Sequence, residues 1–147
     1  MQIPFFQRLQ ALAGPTVNKI VAVGTGPEVG VAEQLLQRVL TGLPELLGAA
    51  VVQIESGQAL ATYTTTRELN LSKVLGFNAE VIRQQRQAMR ALLLPDEEHL
   101  EEILITLQTQ LHLLRLLPDG RNFLYVVVDC RDTNLGIART VLRASEA

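Results

Sequence analysis

The alternation of apolar and polar residues divides the chain into helices and strands. Apolar residues recur every three or four positions, as in helices with one buried face, over residues 3–13, from Val31 to about residue 43, from Leu71 up to Pro95, and over residues 134–146. Runs rich in β-branched and aromatic residues predict strands over residues 17–23, 49–55, 59–66 and 123–128.

Polar residues at the ends of these segments predict how the elements are joined. Ser56-Gly57-Gln58 separates two of the strands and predicts a hairpin. Asn70 and Asn134 each stand just before a helical pattern, where an Asn side chain accepts a hydrogen bond from a free helical N–H. We therefore expect both asparagines to be N-caps.

The pattern over residues 100–117 fits two structures. Leu100, Leu104, Leu107, Leu111 and Leu114 have helical spacing, whereas Ile103, Ile105 and Leu113 also fit the alternation of strands. The turn at residues 118–122 leads into a clear strand, which needs a neighbour. This favours two antiparallel strands, at about residues 101–108 and 111–117.

Residues 24–30 (Gly-Thr-Gly-Pro-Glu-Val-Gly) form a predicted loop between a short strand and a helix, as in a nucleotide-binding domain. The spacing departs from G-x-G-x-x-G because Val29 stands at the third glycine position. Pro27 also removes an N–H that would face a phosphate. A turn rich in Gly and Pro is the preferred interpretation, with a nucleotide or small-ligand site as the alternative.

Length and charge narrow the class of protein. With 147 residues, 48% of them hydrophobic, the chain has the size of one domain with its own core. A net charge of −2 argues against nucleic-acid binding. A single cysteine, no signal-peptide pattern and no apolar run of membrane-spanning length predict a soluble, cytoplasmic protein with no membrane insertion.

Catalytic and metal-binding chemistry has little support in the sequence. The sequence contains no H-E-x-x-H or C-x-x-C spacing for a metal and no G-x-S-x-G nucleophile motif. We therefore expect no catalytic residue, no metal and no cofactor. His112 lies in an apolar stretch and is interpreted as a packed histidine. Cys130 lies between carboxylates that disfavour a thiolate, and is interpreted as a small buried apolar residue.

Two stretches of sequence resemble the Roadblock family of dynein light chains, which includes bacterial gliding-motility regulators. Leu46-Leu47-Gly48-Ala49-Ala50-Val51-Val52, followed by Ser56-Gly57-Gln58-Ala59-Leu60-Ala61, is similar to the first hairpin of the family. Residues 124–129, followed by Thr133-Asn134-Leu135-Gly136-Ile137-Ala138-Arg139, resemble its last strand and Asn-Leu-Gly helix start. The resemblance covers residues 31–147 and leaves residues 1–30 as an N-terminal extension.

The resemblance implies an α+β sandwich, in which a five-stranded antiparallel sheet of the Roadblock/profilin type carries helices on both faces. It also implies a homodimer in which the long helix and an edge strand meet their symmetry mates. Family members are non-enzymatic scaffolds or regulators of Ras-like small GTPases, and some bacterial members stimulate hydrolysis by their partner. Because a shared fold is a weak argument for function, this remains an expectation.

The long helix and the strand after it supply the candidate interaction residues. Arginine is enriched at protein interfaces, so Arg83, Arg86 and Arg90, with Gln87, are expected to contact a partner. The expected dimer interface consists of Val81, Met89, Glu101, Ile103 and Ile105.

Several alternatives stay open at this point. The arginines of the long helix either contact a GTPase, pair across a dimer with the acids of residues 96–102, or form a solvated face. The chain itself is a GTPase regulator, a structural dimerisation subunit without a GTPase, or a ligand-binding domain that uses residues 24–30.

Overall fold

The computed structural model describes residues 17–146, so the helix predicted over residues 3–13 lies outside the described part. The three helices are α1 (Pro27–Gly42), α2 (Leu71–Ala91) and α3 (Leu135–Ser145). The six strands are β1 (Val21–Ala22), β2 (Gly48–Gln53), β3 (Ala59–Thr64), β4 (Glu102–Thr106), β5 (Gln110–Leu116) and β6 (Asn122–Asp129). The α+β architecture with an antiparallel sheet is confirmed.

All six strands form one antiparallel sheet in the order β1-β3-β2-β6-β5-β4. Two local units, the β2–β3 hairpin and the β4–β5–β6 meander, meet in the centre of the sheet where β2 pairs with β6. The prediction that residues 100–117 form two strands is confirmed, because β4 pairs with β5 from Glu102–Arg115 to Thr106–Leu111.

The sheet has six strands rather than the expected five. The additional strand is β1, whose two residues pair with Thr62 and Ala61 of β3. The chain before and after β1 adds two hydrogen bonds to β3, from the N–H of Asn18 to the oxygen of Thr64 and from the N–H of Val23 to the oxygen of Leu60. Part of the expected N-terminal extension therefore continues the sheet.

Helix α1 begins at Pro27 and not after residue 30, so the expected loop is limited to Val23–Gly26. Proline is well suited to the first helical position because its fixed φ is helical and its missing N–H would have no partner there. Gly30, which was interpreted as part of the loop, lies inside the helix.

The two faces of the sheet are covered unequally. Helices α1 and α3 pack side by side on one face, against the inward side chains of β2, β5 and β6. Of the helices in residues 17–146, α2 is the one on the other face, with a core that contains Ile54, Phe123 and Tyr125. A helix is about 10–12 Å wide, whereas six strands about 4.8 Å apart span more than twice that width. Residues 17–146 therefore cover the second face only in part.

The two predicted N-caps have different outcomes. Oδ1 of Asn134 accepts a hydrogen bond from the N–H of Ile137 at 2.8 Å and caps α3, as predicted. Asn70 stands at the N-cap position of α2 but makes no capping hydrogen bond; its Oδ1 accepts the hydroxyl of Ser72 instead. The prediction of a side-chain cap at Asn70 was therefore wrong.

Candidate interaction surface

Helix α2 presents three different sides along its length. The buried side consists of Leu71, Leu75, Asn78, Ala79 and Ile82 and packs mainly on β2 and β3. A basic side carries Arg83 and Arg90, which are two turns apart. The side away from Arg83 carries an apolar stripe, which we call the apolar flank and which consists of Val74, Phe77, Val81, Ala88 and Leu92.

Arg83 and Arg86 are bound to the loops of their own chain. The guanidinium of Arg83 donates to the carbonyl oxygens of Ile54 and Glu55 and forms an ion pair with Glu80. The guanidinium of Arg86 donates to the carbonyl oxygen of Gly120 at 3.0 Å. Both arginines thus connect α2 to turns at one end of the sheet.

Gln87 and Arg90 are exposed and have more freedom to meet a partner. Neither side chain makes a hydrogen bond or ion pair with any of residues 17–146. Of the four residues predicted to contact a partner, these two are the ones with unused donors pointing to solvent.

The apolar flank is strongly exposed for a set of large side chains. Phe77 is 75% exposed, Val81 41% and Leu92 69%. The flank continues into Leu93, which is 88% exposed and has a φ of 55°, a left-handed conformation that is unfavourable for leucine. Phe77 and Leu93 were not among the predicted interface residues, although Phe77 lies one helical turn before Val81.

Strand β4 is an edge strand of the sheet, on the side where the face below α2 is only partly covered. Ile103 and Ile105 are half-buried and pair with Leu114 and His112 of β5 on the same face as α2. The outer edge of β4 has no strand beside it in the described sheet. Three predicted interface residues, Val81, Ile103 and Ile105, therefore border the open half of the sheet.

Four of the other predicted residues surround a cavity at the end of α2. Arg86, Met89, Arg90 and Glu101 all line this space of about 550 Å³, which lies between α2 and the segment leading to β4. Met89 is half-buried and faces the cavity. The predicted partner-contact and dimer-interface residues are thus neighbours here.

Glu102, one of the acids that would pair with α2 across a dimer in the alternative interpretation, binds arginines of its own chain. Its carboxylate binds Arg139 of α3 at 2.7 Å and lies 4.0 Å from Arg115 of β5, which also binds Glu146. Glu102, Arg115 and Glu146 are each less than one-sixth exposed. This network fixes the first residue of β4 to α3.

A chain of polar side chains runs across the sheet below α2. Nδ1 of His112 lies 2.6 Å from the hydroxyl of Tyr125, and Nε2 lies 2.9 Å from Oε1 of Gln110. Burial lowers the pKa of His112. Burial raises the pKa of Tyr125, and the nearby amide of Asn78 offsets part of that rise. The side-chain nitrogen of Asn78 is itself buried and makes no hydrogen bond within residues 17–146. His112 is therefore a packed and hydrogen-bonded histidine.

The remaining chemical candidates do not assemble into a site. Cys130 is exposed, so its interpretation as a buried residue was wrong; its thiol lies 3.7 Å from the oxygen of Gln108. Glu28 places a carboxylate in the first turn of α1, where a phosphate would need a positive environment. Residues 17–146 contain no cluster of three or more metal-ligating side chains, and none of their helices is suited to cross a membrane.

Several solved structures have an architecture similar to that of this chain. MglB of Myxococcus xanthus aligns with a TM-score of 0.70 and 14% identity, over 84% of this chain and 88% of that one. The gliding protein MglB of Thermus thermophilus aligns with a TM-score of 0.66 and 14% identity, over 90% and 93%. The Roadblock/LC7 domain of Streptomyces avermitilis aligns with a TM-score of 0.55 and 13% identity, over 78% and 91%.

The chain has the Roadblock fold. At such low identity the likeness establishes the architecture, which agrees with the resemblance of the two sequence stretches. No family profile matches the chain, and no curated protein matches its sequence. Within the Roadblock fold, the surface that stands out is the apolar flank of α2 together with the open half of the sheet.

Proposed function

We propose that the chain is a non-enzymatic homodimer that acts as a regulator or scaffold for a Ras-like small GTPase. The observation that carries the proposal is the exposed apolar flank of α2 beside a half-covered sheet. The Roadblock fold, shared with MglB proteins, supports a regulatory role of the kind that the sequence resemblance implies.

A second copy of the chain suits the open half of the sheet. The flank is apolar at both ends, with Phe77 and Val81 at one and Ala88 and Leu92 at the other, and Gln84 and Gln85 lie between them. A two-fold axis at the two glutamines places Phe77 against the partner copy's leucine and Val81 against its alanine. Such self-complementarity is what a symmetric dimer requires.

The edge strand supports the same arrangement. The unpaired edge of β4 offers backbone donors and acceptors to a second β4, so that two sheets would join into one. The partner's α2 would then lie over β4 and β5 and cover Ile103 and Ile105. The same contact would remove the apolar flank from water, which is favourable by about 25 cal/mol for each Å² buried.

The GTPase contact is proposed for the outer surface of α2. Gln87 and Arg90 are exposed and lie outside the apolar flank, so we expect them to remain accessible in the proposed dimer. Arg83 and Arg86 contribute their charge to the same side while holding the loops at Ile54 and Gly120. No residue is assigned to the partner's chemistry.

The dimer is tested by changing the apolar flank. In sedimentation velocity, Phe77→Glu and Val81→Glu are each expected to convert a dimer of the wild-type chain into a monomer. Val31→Glu, which places the same charge at an exposed valine of α1, is expected to remain dimeric. A monomeric wild-type chain at micromolar concentration would rule out the dimer.

The GTPase partner is tested by capture from a lysate of the source organism. The tagged chain is incubated with a non-hydrolysable GTP analogue or with GDP, and the bound proteins are identified by mass spectrometry. Enrichment of a Ras-like GTPase in one nucleotide arm supports the proposal. A partner that binds equally in both arms supports the structural-subunit alternative.

Charge reversal then locates the contact. Arg90→Glu is expected to lower GTPase binding by at least tenfold while the dimer stays intact. Arg38→Glu, at an exposed arginine of α1, is the matched control, and this variant is expected to bind the GTPase normally. Loss of binding in both variants would point to a general effect of charge and against a contact at α2.

A further inference from the structure

The hydrogen bonds around His112 form a chain in which each donor hydrogen points the same way. The Oε1 atom of Gln110 only accepts, so Nε2 of His112 carries the hydrogen in this pair. In the neutral ring, Nδ1 is then the acceptor, and the hydroxyl of Tyr125 donates to it at 2.6 Å. The buried amide nitrogen of Asn78 lies near the same hydroxyl and has no hydrogen-bond partner within residues 17–146. Tyr125 and His112 therefore both donate towards β5.

Protonation of His112 would break this direction. A hydrogen on Nδ1 would point at the oxygen of Tyr125, and the hydroxyl hydrogen would lose the acceptor that it has beside the neutral ring. The nearby side-chain nitrogen of Asn78 is a donor and cannot accept the hydroxyl hydrogen in its place. The charged imidazole would thus be left with a poorer set of partners than the neutral one.

The groups that pack around the ring supply little compensation for a charge. Val127 of β6 and Ile105 of β4 are its cross-strand neighbours, and Gln110 and Leu114 flank it on β5. Tyr125 is the titratable group that faces it. The electrostatic cause of the lowered pKa is accordingly burial and not a neighbouring cation.

His112 also lies where the second copy is placed. Its cross-strand partner Ile105 belongs to the edge strand, and both face the half of the sheet that α2 leaves open. In the monomer the ring is half-buried and water reaches one side of it. A second α2 above β4 and β5 would remove that water, and a charged ring would then be costlier still.

We propose that His112 is a protonation site that controls self-association of the chain, so that the dimer forms with the neutral ring and dissociates when the ring is charged. The inference rests on the proposed homodimer. Dimerisation lowers the proton affinity of each His112, so by linkage the dimer binds fewer protons than two monomers. The dimer is therefore strongest above the pKa of His112 in the monomer, which burial places below 6.5, and it weakens as the pH falls through that pKa.

The test is the dissociation constant of the dimer at pH 7.5, 6.5 and 5.5, measured by sedimentation velocity on a dilution series. For the wild-type chain it is expected to rise as the pH falls, by up to about tenfold for each pH unit and each histidine. His112→Asn keeps a neutral acceptor near the hydroxyl of Tyr125 and is expected to show a constant that does not change with pH. His99→Asn, at the exposed second histidine, is expected to behave as wild type.

The outcomes separate this inference from the proposed function. A wild-type dimer whose dissociation constant is independent of pH overturns the role of His112 and leaves the dimer standing. A chain that is monomeric at all three pH values overturns both.

An NMR measurement on the wild-type chain covers the case in which His112→Asn does not fold. The ring is expected to titrate below 6.5 in dilute monomer, and at lower pH again in concentrated dimer. Equal titration in both states would contradict the proposal.

Discussion

The guanidinium of Arg83 in the middle of α2 donates a hydrogen bond to the main-chain oxygen of Ile54, at the end of the β2–β3 hairpin. Ile54 is almost completely buried, and Glu80 holds the other side of the guanidinium with an ion pair. This contact joins the long helix to the hairpin below it. Arg83 is thus a structural residue as well as a candidate for partner contact.

Removal of the charged donor should lower stability. Arg83→Met keeps much of the aliphatic stem but leaves the oxygen of Ile54 without its partner, and we expect a loss of about 1–2 kcal/mol in the free energy of unfolding. Urea denaturation followed by circular dichroism measures it. Arg90→Met, at the exposed arginine two turns later, should change stability by less than about 0.5 kcal/mol. Equal losses of stability in the two variants would contradict the structural role of Arg83.

The two asparagines before helices should differ on substitution. Asn134→Ala removes an N-cap hydrogen bond of 2.8 Å and is expected to cost about 1 kcal/mol. Asn70→Ala removes only the contact with the hydroxyl of Ser72 and is expected to cost clearly less. Thermal unfolding of both variants under identical conditions provides the comparison, and a larger effect at Asn70 would show that it caps α2 in solution.

Two glycines that approach each other should respond to alanine in opposite directions. A Cβ atom on Gly57 would lie 3.1 Å from Cα of Gly76, and its φ of 69° is left-handed, so Gly57→Ala should destabilise by about 1–2 kcal/mol. A Cβ on Gly76 would meet no atom within 4 Å, so Gly76→Ala should stabilise α2 by about 0.5–1 kcal/mol. Chemical denaturation measures both, and a destabilising Gly76→Ala would be contrary to this packing.

The carboxyl group of Asp129 should titrate far below its ordinary value. The side chain and main-chain N–H of Arg131 hold its pKa at about 2, against 3.8 for a free aspartate. Because the folded-state pKa is lowered, the stabilisation is present above pH 3.8 and is lost as the pH falls towards 2. Carbon-detected NMR titration should show the pKa of Asp129 rising in Arg131→Gln and unchanged in Arg121→Gln. An unchanged pKa in Arg131→Gln would exclude the ion pair as the cause.

Local sequence patterns predicted most of the fold because most of its strand pairs join segments that are neighbours in sequence. The β2–β3 hairpin follows from Ser56-Gly57-Gln58 between two β-branched runs, and the two strands before β6 follow from the need of that strand for a neighbour. The predicted start of α1 was several residues late because glycine at position 30 is typical of a loop. In the structure the helix begins at Pro27, whose fixed φ suits the first helical position. A strand was predicted over residues 17–23, and the structure has the two-residue β1 there, but so short a segment gave no sign that it would join the sheet beside β3.

The candidate surface was less accessible to sequence reasoning. The exposure of Phe77 depends on which side of α2 meets the sheet, and periodicity alone does not fix that side. The bonds from Arg83 and Arg86 to Ile54 and Gly120 join segments far apart in sequence, and nothing near either arginine signals them. The exposure of Cys130 follows from its place in the turn directly after the buried strand β6.

The pairing of β2 with β6 in the centre of the sheet also has a consequence for how the chain folds. The two units on either side of it, the β2–β3 hairpin and the β4–β5–β6 meander, are each closed by short turns and can form early. Their junction brings residues 48–53 against residues 122–127, with the whole of α2 in the intervening loop. Closing so long a loop is the slow event in chains of this kind, so the central pair of strands, rather than either edge, is expected to set the folding rate.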